Sequence, residues 1–323
     1  MSLSIGVDVG GTKIAASTVD EHGRVRHQAR RETPAQDVEA IAAAIVEVVQ
    51  ELRDRQGSEQ VQSVGIACAG FIDAAGAVVR FSPNLAWRDE PLAERIAAQT
   101  DLFVLLENDA NAAAWGEFRF GAARDVAEMV MVTLGTGVGG GIVSNHTVLR
   151  GTHGMAAEIG HMRVVPGGHR CGCGNRGCWE QYASGSALVR EAREMVAAGS
   201  PHVGELAARC GGDPQKLTGA MVTEVAQAGD AAAMELLEDL GRWVGEGIAS
   251  LVAILDPQMI VIGGGVSAAG DLVLDPARSA FARQLTGRGH RRVADIVVAE
   301  LGNDAGMIGA ADLAAARRPD GAG

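Results

Sequence analysis

The stretch MVMVTLGTGVGGGIVSN, residues 129–145, reads as a β-strand, a Gly/Thr turn and a second strand. The N-terminus has the same plan in GVDVGGTKIAA, residues 6–16. A β-run that meets a glycine turn and comes back, found twice in one chain, predicts two similar α/β halves. Working outward, the apolar run at 2–9 is a buried strand, and KIAASTVD and RVRHQARRE alternate apolar and polar residues around the turn EHG as a hairpin. Residues 35–55 place Val38, Ile41, Ala42, Ile45, Val48, Val49 and Leu52 at helical spacing. Strands are expected at 61–70 and 102–108, a short helix at 92–99, and a further helix starting at Asn108 or Asp109, whose side chains suit an N-cap. Beyond 145 the pattern gives a helix over 186–198, a polar stretch to 219, a helical region over 220–255 stopped by Pro257, and strand, glycine turn and helix over 259–270. A strand at 292–300, a helix at 304–316 and a frayed tail, RRPDGAG, complete the reading.

With 323 residues, 47% of them hydrophobic, the chain has room for two ordinary domains with real cores. Its net charge of −12 is spread without a basic block, which argues against a nucleic-acid partner, because a phosphate backbone needs a cationic face. An anionic small ligand would need local cradles. The N-terminus carries Asp8 and two glycines where a signal peptide needs its apolar region, and no apolar run reaches the roughly 18 residues of a membrane span. The expectation is a cytoplasmic protein with no membrane partner. Thiols stay reduced there, so clustered cysteines point to metal or redox chemistry.

Three glycine-rich turns compete for a phosphate role. GTGVGG at 135–140 fits G-x-G-x-x-G but runs into a strand, and 263–268 lacks the acidic strand end that holds a ribose about 20 residues on. What remains is a matched pair of hairpin turns, DVGGTK at 8–13 and LGTGVGG at 134–140, whose backbone N–H groups, with Thr12, Thr136 and Lys13, can hold a polyphosphate. Lys13 is one of only two lysines among 28 basic residues, and a flexible point charge suits a moving phosphoryl group. The bland alternative is ordinary tight turns beside a solvated lysine. In LLENDANAAAWGE, residues 105–117, Asp109 is a candidate general base for a hydroxyl and Asn108 a hydroxyl-binding amide, against the alternative of a pure helix cap.

Three of the five cysteines, Cys171, Cys173 and Cys178, fall within eight positions as C-x-C-x4-C. An odd cluster argues against a disulfide, and redox sites favour C-x-x-C, so a closed structural zinc site is the better reading. Zinc wants a fourth ligand, and spacing leaves His161 and His169 both open, with His153 farther off. Cys68 and Cys210 look like buried small residues.

Taken together, DVGGTK, ENDANAAAWGE, LGTGVGGG, EIGH at 158–161, CGCGNRGCWE at 171–180 and GGG at 263–265 resemble the ROK-family glucokinases of bacteria, in the right order over nearly the whole chain. The resemblance implies an actin-like ATPase, ribonuclease H-like sugar kinase fold: two similar α/β domains with a cleft. The smaller would hold 1–117 plus about 301–323, the larger about 118–300 with a zinc-binding loop. It implies phosphorylation of glucose at the 6-hydroxyl by MgATP, with ATP between the two glycine turns on Asp8, Gly10, Gly11, Thr12, Lys13, Thr136 and Gly137, and with Gly264 and Gly265 near the adenosine. It implies Asp109 as the base, zinc on His161, Cys171, Cys173 and Cys178, sugar contacts from Asn108, Asp109, Glu158, His161 and Glu180, and self-association to dimers or tetramers. Other hexoses (N-acetylmannosamine, allose, fructose), polyphosphate as donor, or a sugar-responsive regulator are the alternatives. The regulators carry a helix-turn-helix before the kinase-like body, where this chain starts its first strand by about residue 3.

Overall fold

In the computed structural model, which describes residues 3–56 and 60–319, the chain opens with β1 (Leu3–Val9), β2 (Lys13–Asp20) and β3 (Val25–Glu32). Helix α1 (Val38–Arg55) follows, starting at the first residue of its apolar spacing and three residues later than the expected range 35–55, because Asp37 caps it by accepting the Ala40 N–H. Then come β4 (Val61–Cys68), the short strands β5 (Phe71–Ile72), β6 (Val79–Phe81) and β7 (Arg88–Glu90), α2 (Leu92–Thr100), β8 (Phe103–Asn108) and α3 (Asp109–Phe120). β9 (Met129–Leu134), β10 (Val138–Ser144) and β11 (Thr147–Val148) lead to α4 (Glu180–Ala183), α5 (Gly185–Ala197), α6 (Gly204–Arg209), α7 (Gly219–Gln227) and α8 (Ala231–Leu255). β12 (Met259–Gly263), α9 (Asp271–Gln284), β13 (Asp295–Val298) and α10 (Ala305–Arg317) close the chain.

The three-stranded sheet β5-β6-β7 was invisible to periodicity because its strands have only two or three residues. The helical region at 220–255 is two helices, since Asp230 starts α8 by capping Ala233, and the polar stretch before 219 contains α6. Residues 320–323 of the tail lie outside the described residues.

The chain divides into two units: one takes in residues up to 131, 140–157 and those from 299 on, the other 132–139 and 158–298. The first contains a sheet of order β3-β2-β1-β4-β8, in which β1 pairs antiparallel with β2 and parallel with β4, and β4 parallel with β8. The other five-stranded sheet runs β11-β10-β9-β12-β13. Both orders are the third, second, first, fourth and fifth strand of their set, so the repeat read from the glycine turns is a repeat of topology.

In the first unit, Ile5, Val7 and Val9 on one face of β1 pack with Ile41, Ile45, Val48 and Leu52 of α1. The opposite face is covered by α10. Gly6 and Gly65, register partners on β1 and β4, are the reason it can lie so close: a Cβ on either would overlap the carbonyl of Met307 or Ala310. Glu117, fully buried in α3, accepts the N–H groups of Ala122 (2.9 Å), Glu300 (3.1 Å) and Leu301 (2.7 Å) and so fixes the entry to α10. In the second unit, α5 to α8 share one apolar cluster.

Candidate active site

Parallel strands β1, β4 and β8 end side by side, and ligand-touching groups gather at such carboxyl ends. The register pairs Asp8 with Ala67 and Cys68 with Asn108. Asn108 is the N-cap of α3: its Oδ1 accepts the N–H groups of Ala110 (2.9 Å) and Asn111 (3.1 Å), and its Nδ2 donates to the Gly70 carbonyl at 3.2 Å. The cap and the hydroxyl-binding readings coexist, because the amide has a second Nδ2 proton to give. Asp109 Oδ1 accepts the Ala110 N–H at 2.9 Å. Burial raises the Asp109 carboxyl above the usual range, and that N–H pulls the other way. Asp8 is pushed up to about 6, by burial first and by the charge of Asp109 second, with Lys13 opposing both. Cys68 lies fully buried behind these carboxylates, its thiol pushed up by burial and by Asp109, Asp8 and Glu107, so it is inert packing.

The first glycine turn is tight. Gly10 N–H donates to the Lys13 carbonyl (3.0 Å), and Thr33 bonds the carbonyls of Gly10 (2.8 Å) and Thr12 (3.1 Å) from behind. This leaves Gly11, Thr12 and Lys13 exposed. In the second unit the turn after β9 is bonded to the start of α5, with Gly185 N–H on the Gly135 carbonyl (2.8 Å) and Ser186 N–H on that of Thr136 (3.4 Å). Gly264, at φ 88°, lies against the Leu134 carbonyl, where no side chain fits. Within the second unit, the turn after β9, the residues after β12 and helices α5 and α7 border an open cavity of about 1150 Å³, lined by Gly135, Thr136, Gly265, Arg190, Arg193 and Thr223 among others. Among the predicted nucleotide residues, Thr136 and Gly265 line it directly.

The cysteine segment gathers as its spacing suggests. One donor atom each from His161, Cys171, Cys173 and Cys178 falls within 4.8 Å of the others. Cys173 and Cys178 Sγ are 3.6 Å apart, as are Cys171 Sγ and His161 Nδ1. Sulfurs bound tetrahedrally at about 2.3 Å would be about 3.8 Å apart, so donor set and spacing both fit Zn²⁺. His169 is out of the running: it is exposed, its backbone N–H donates to Tyr182 Oη (3.0 Å), and its ring packs on Tyr182 with centroids 5.3 Å apart. His153 is exposed and belongs to the other unit.

His161 turns Nδ1 to the sulfurs and leaves Nε2 4.0 Å from a Glu158 carboxylate oxygen. Glu180 Oε1 is 3.7 Å from His161 Nδ1 and 2.9 Å from Cys171 Sγ. Glu158, His161 and Glu180 thus form one polar group of the second unit. Two buried anchors hold it. Gly160 presses on the Val138 carbonyl, and Trp179, fully buried, donates Nε1–H to the Trp243 carbonyl (2.8 Å) while its ring fills the space over Gly247 of α8.

Some residues of the site escaped the sequence reading. Glu107, 3% exposed, bonds Asn108, Asn111 and Arg150, and Trp179 anchors the cysteine loop. The available signal for Glu107 was a carboxylate closing an apolar strand. Trp179 offered only its place beside Cys178.

Two five-stranded sheets of one strand order, with carboxylates at the strand ends of one and a glycine-turn cavity beside the other, define an α/β protein of the actin-like ATPase sugar kinase fold. The chain belongs to the ROK family, whose model matches residues 4–317. It is 46% identical over 320 residues, 99% of each chain, to the glucokinase of Streptomyces coelicolor. It is 36% identical over 315 residues to the N-acetylmannosamine kinase of Escherichia fergusonii, covering 96% of this chain and 98% of that one. Among solved structures it is similar to a ROK family glucokinase from Streptomyces griseus in complex with glucose and AMPPNP. The TM-score is 0.86 at 46% identity, over 97% of this chain and 99% of the other.

Proposed function

We propose that this chain transfers a phosphoryl group from ATP to the 6-hydroxyl of glucose. The observation that carries the reaction is Asp109, a desolvated carboxylate at the strand-to-helix junction beside Asp8. Glucose is supported by the Streptomyces relatives, one a glucokinase by name and one solved with glucose and AMPPNP, each 46% identical.

Asp109 orients the sugar hydroxyl and accepts its proton, and burial suits it to that task by raising its basicity. Asn108, Glu158, His161 and Glu180 are assigned to sugar hydroxyls. A neutral imidazole has one acceptor and one donor nitrogen, so with Nδ1 on the metal, Nε2 carries the proton and donates. Zn²⁺ on His161, Cys171, Cys173 and Cys178 is structural: four protein ligands leave no open position. The backbone of residues 10–13 and 135–137, with Thr12, Thr136 and Lys13, is assigned to the polyphosphate, and Gly265 borders the cavity assigned to adenosine, with Gly264 beside it on the Leu134 carbonyl. Mg²⁺ bound with ATP offsets charge on the transferring group, and Asp8 is the residue assigned to hold it. The three thiolates need a reducing compartment, which supports a cytoplasmic location. Self-association to a dimer or tetramer is part of the same reading, on the family resemblance.

A coupled ADP-release assay over glucose, N-acetylmannosamine, allose and fructose tests it. Glucose should give the highest kcat/KM, since sites built to bond each hydroxyl reject sugars that leave those groups unpaired. A highest value for N-acetylmannosamine would transfer the reading to the activity of the Escherichia relative, and no hexose-dependent ADP release would end it.

A further inference from the structure

The carboxylate of Glu107 bonds Asn108, Asn111 and Arg150 around Asp109, and nothing in the reaction above employs it. Its Oε1 accepts the Asn108 N–H and Asn111 Nδ2–H, both at 3.1 Å, so one oxygen grips the first turn of α3 on either side of Asp109. Its Oε2 accepts from Arg150 Nε at 2.6 Å, and Arg150 Nη2 lies 2.5 Å from the same oxygen as an ion-pair contact outside hydrogen-bonding geometry. The side chains are 4% and 12% exposed. Arg150 in turn belongs to a braced loop: Leu149 N–H donates to Ile142 (2.8 Å), Ala156 N–H closes on the Arg150 carbonyl (3.0 Å), and Gly154 lies against the backbone of Ile72 and Asp73.

An ion pair sealed from water gains little stability over apolar side chains of the same size. Its geometry is what apolar side chains would not reproduce: two fixed oxygens, one holding a helix start and one holding a loop. We propose that Glu107 and Arg150 are a positioning pair. Arg150 fixes Glu107, and Glu107 fixes Asn108 and Asn111, setting the direction in which Asp109 presents its carboxylate. The proposal rests on the reading of Asp109 as the base. A misplaced base slows the proton-accepting step more than it weakens ground-state binding, in which Asn108 is only one of several assigned sugar contacts, so the pair acts mainly on kcat and changes KM little.

Arg317, in the last turn of α10, feels the same charges: burial and Arg150 hold it below its usual value while Glu107 draws it up. Removing Glu107 alone would leave the Arg150 charge acting on Arg317 with no carboxylate to offset it, so Arg150→Met is the single change used. It is expected to lower kcat by about 10- to 100-fold, with KM for glucose and ATP within about threefold of the unaltered protein. The doubly apolar Glu107→Leu/Arg150→Met removes the uncompensated charge, so its thermal midpoint should return to within a few degrees while kcat stays low. A pair that served stability alone would show the reverse: recovery of kcat together with the midpoint, which would overturn the proposal. Hydrogen exchange provides an arm independent of turnover. Amides of residues 108–111 should exchange about tenfold faster in the double variant, with those of β1 and α10 unchanged. Unchanged exchange at 108–111 would also overturn the pair. If the unaltered protein phosphorylates no hexose, the reading of function falls, and the exchange result alone decides on the pair.

Discussion

Asp109 and Asp8 have opposite claims on the solvent. A base must be ionised, so turnover is lost as pH falls through the Asp109 pKa, and burial moves that pKa up. The acid limb of kcat/KM should therefore lie at higher pH than for an ordinary aspartate. Asp109→Asn should cut kcat by about two orders of magnitude or more with the circular dichroism unchanged, and a loss under about tenfold would remove Asp109 from the role. Asp8 is a stability question. Its carboxyl is raised to about 6, so the folded protein binds that proton more tightly than the unfolded chain does. The contribution to stability is complete below about pH 4 and is lost as pH rises through about 6. Asp8→Asn should thus stabilise the protein by on the order of 1–3 kcal/mol at about pH 7.5 and change little at about pH 4. Urea titrations at the two pH values decide it; a less stable variant at the higher one would contradict the desolvation argument.

At the scale of elements, the cysteine loop and α10 make separate demands. The loop has its ligands on a turn-rich segment, and its apolar hold is Trp179 on α8. Metal should then order Glu158, His161 and Glu180 together. Purified protein is expected to carry about one zinc per chain, and Cys178→Ser, at the most buried ligand, should lose it and weaken glucose binding by about tenfold or more. Elemental analysis and glucose titration check this, and a zinc-free protein with full glucose affinity would remove the metal from sugar recognition. Helix α10 depends on the absence of side chains beneath it. Gly65→Ala would drive a methyl into the Ala310 carbonyl, costing about 1–3 kcal/mol in chemical denaturation.

At the scale of the whole molecule, the proposed self-association predicts a light-scattering mass of two or four times the 33.3 kDa chain, and a monomer at micromolar concentration would remove it. The repeated strand order was legible because each copy begins with the same local signal, a β-run into a Gly/Thr turn. The proposed zinc ligands were legible except for the choice of histidine, since spacing along the chain does not say which ring turns toward the sulfurs. His169 went to Tyr182 and His161 to the sulfurs because of how residues 163–178 fold back on themselves, through Val164 N–H on Gly177 and Trp179 N–H on Met162. A helix start at Asn108 or Asp109 was legible, because capping is local, and the structure gives the cap to Asn108. Glu107 and Arg150, 43 positions apart, were not read at all. By itself the sequence determined what short-range physics determines: strands, helices, caps, turns and the donor types of the metal site. Tertiary structure alone decided which distant groups share a buried pocket, because burial and charge pairing depend on three-dimensional neighbours that no spacing along the chain encodes.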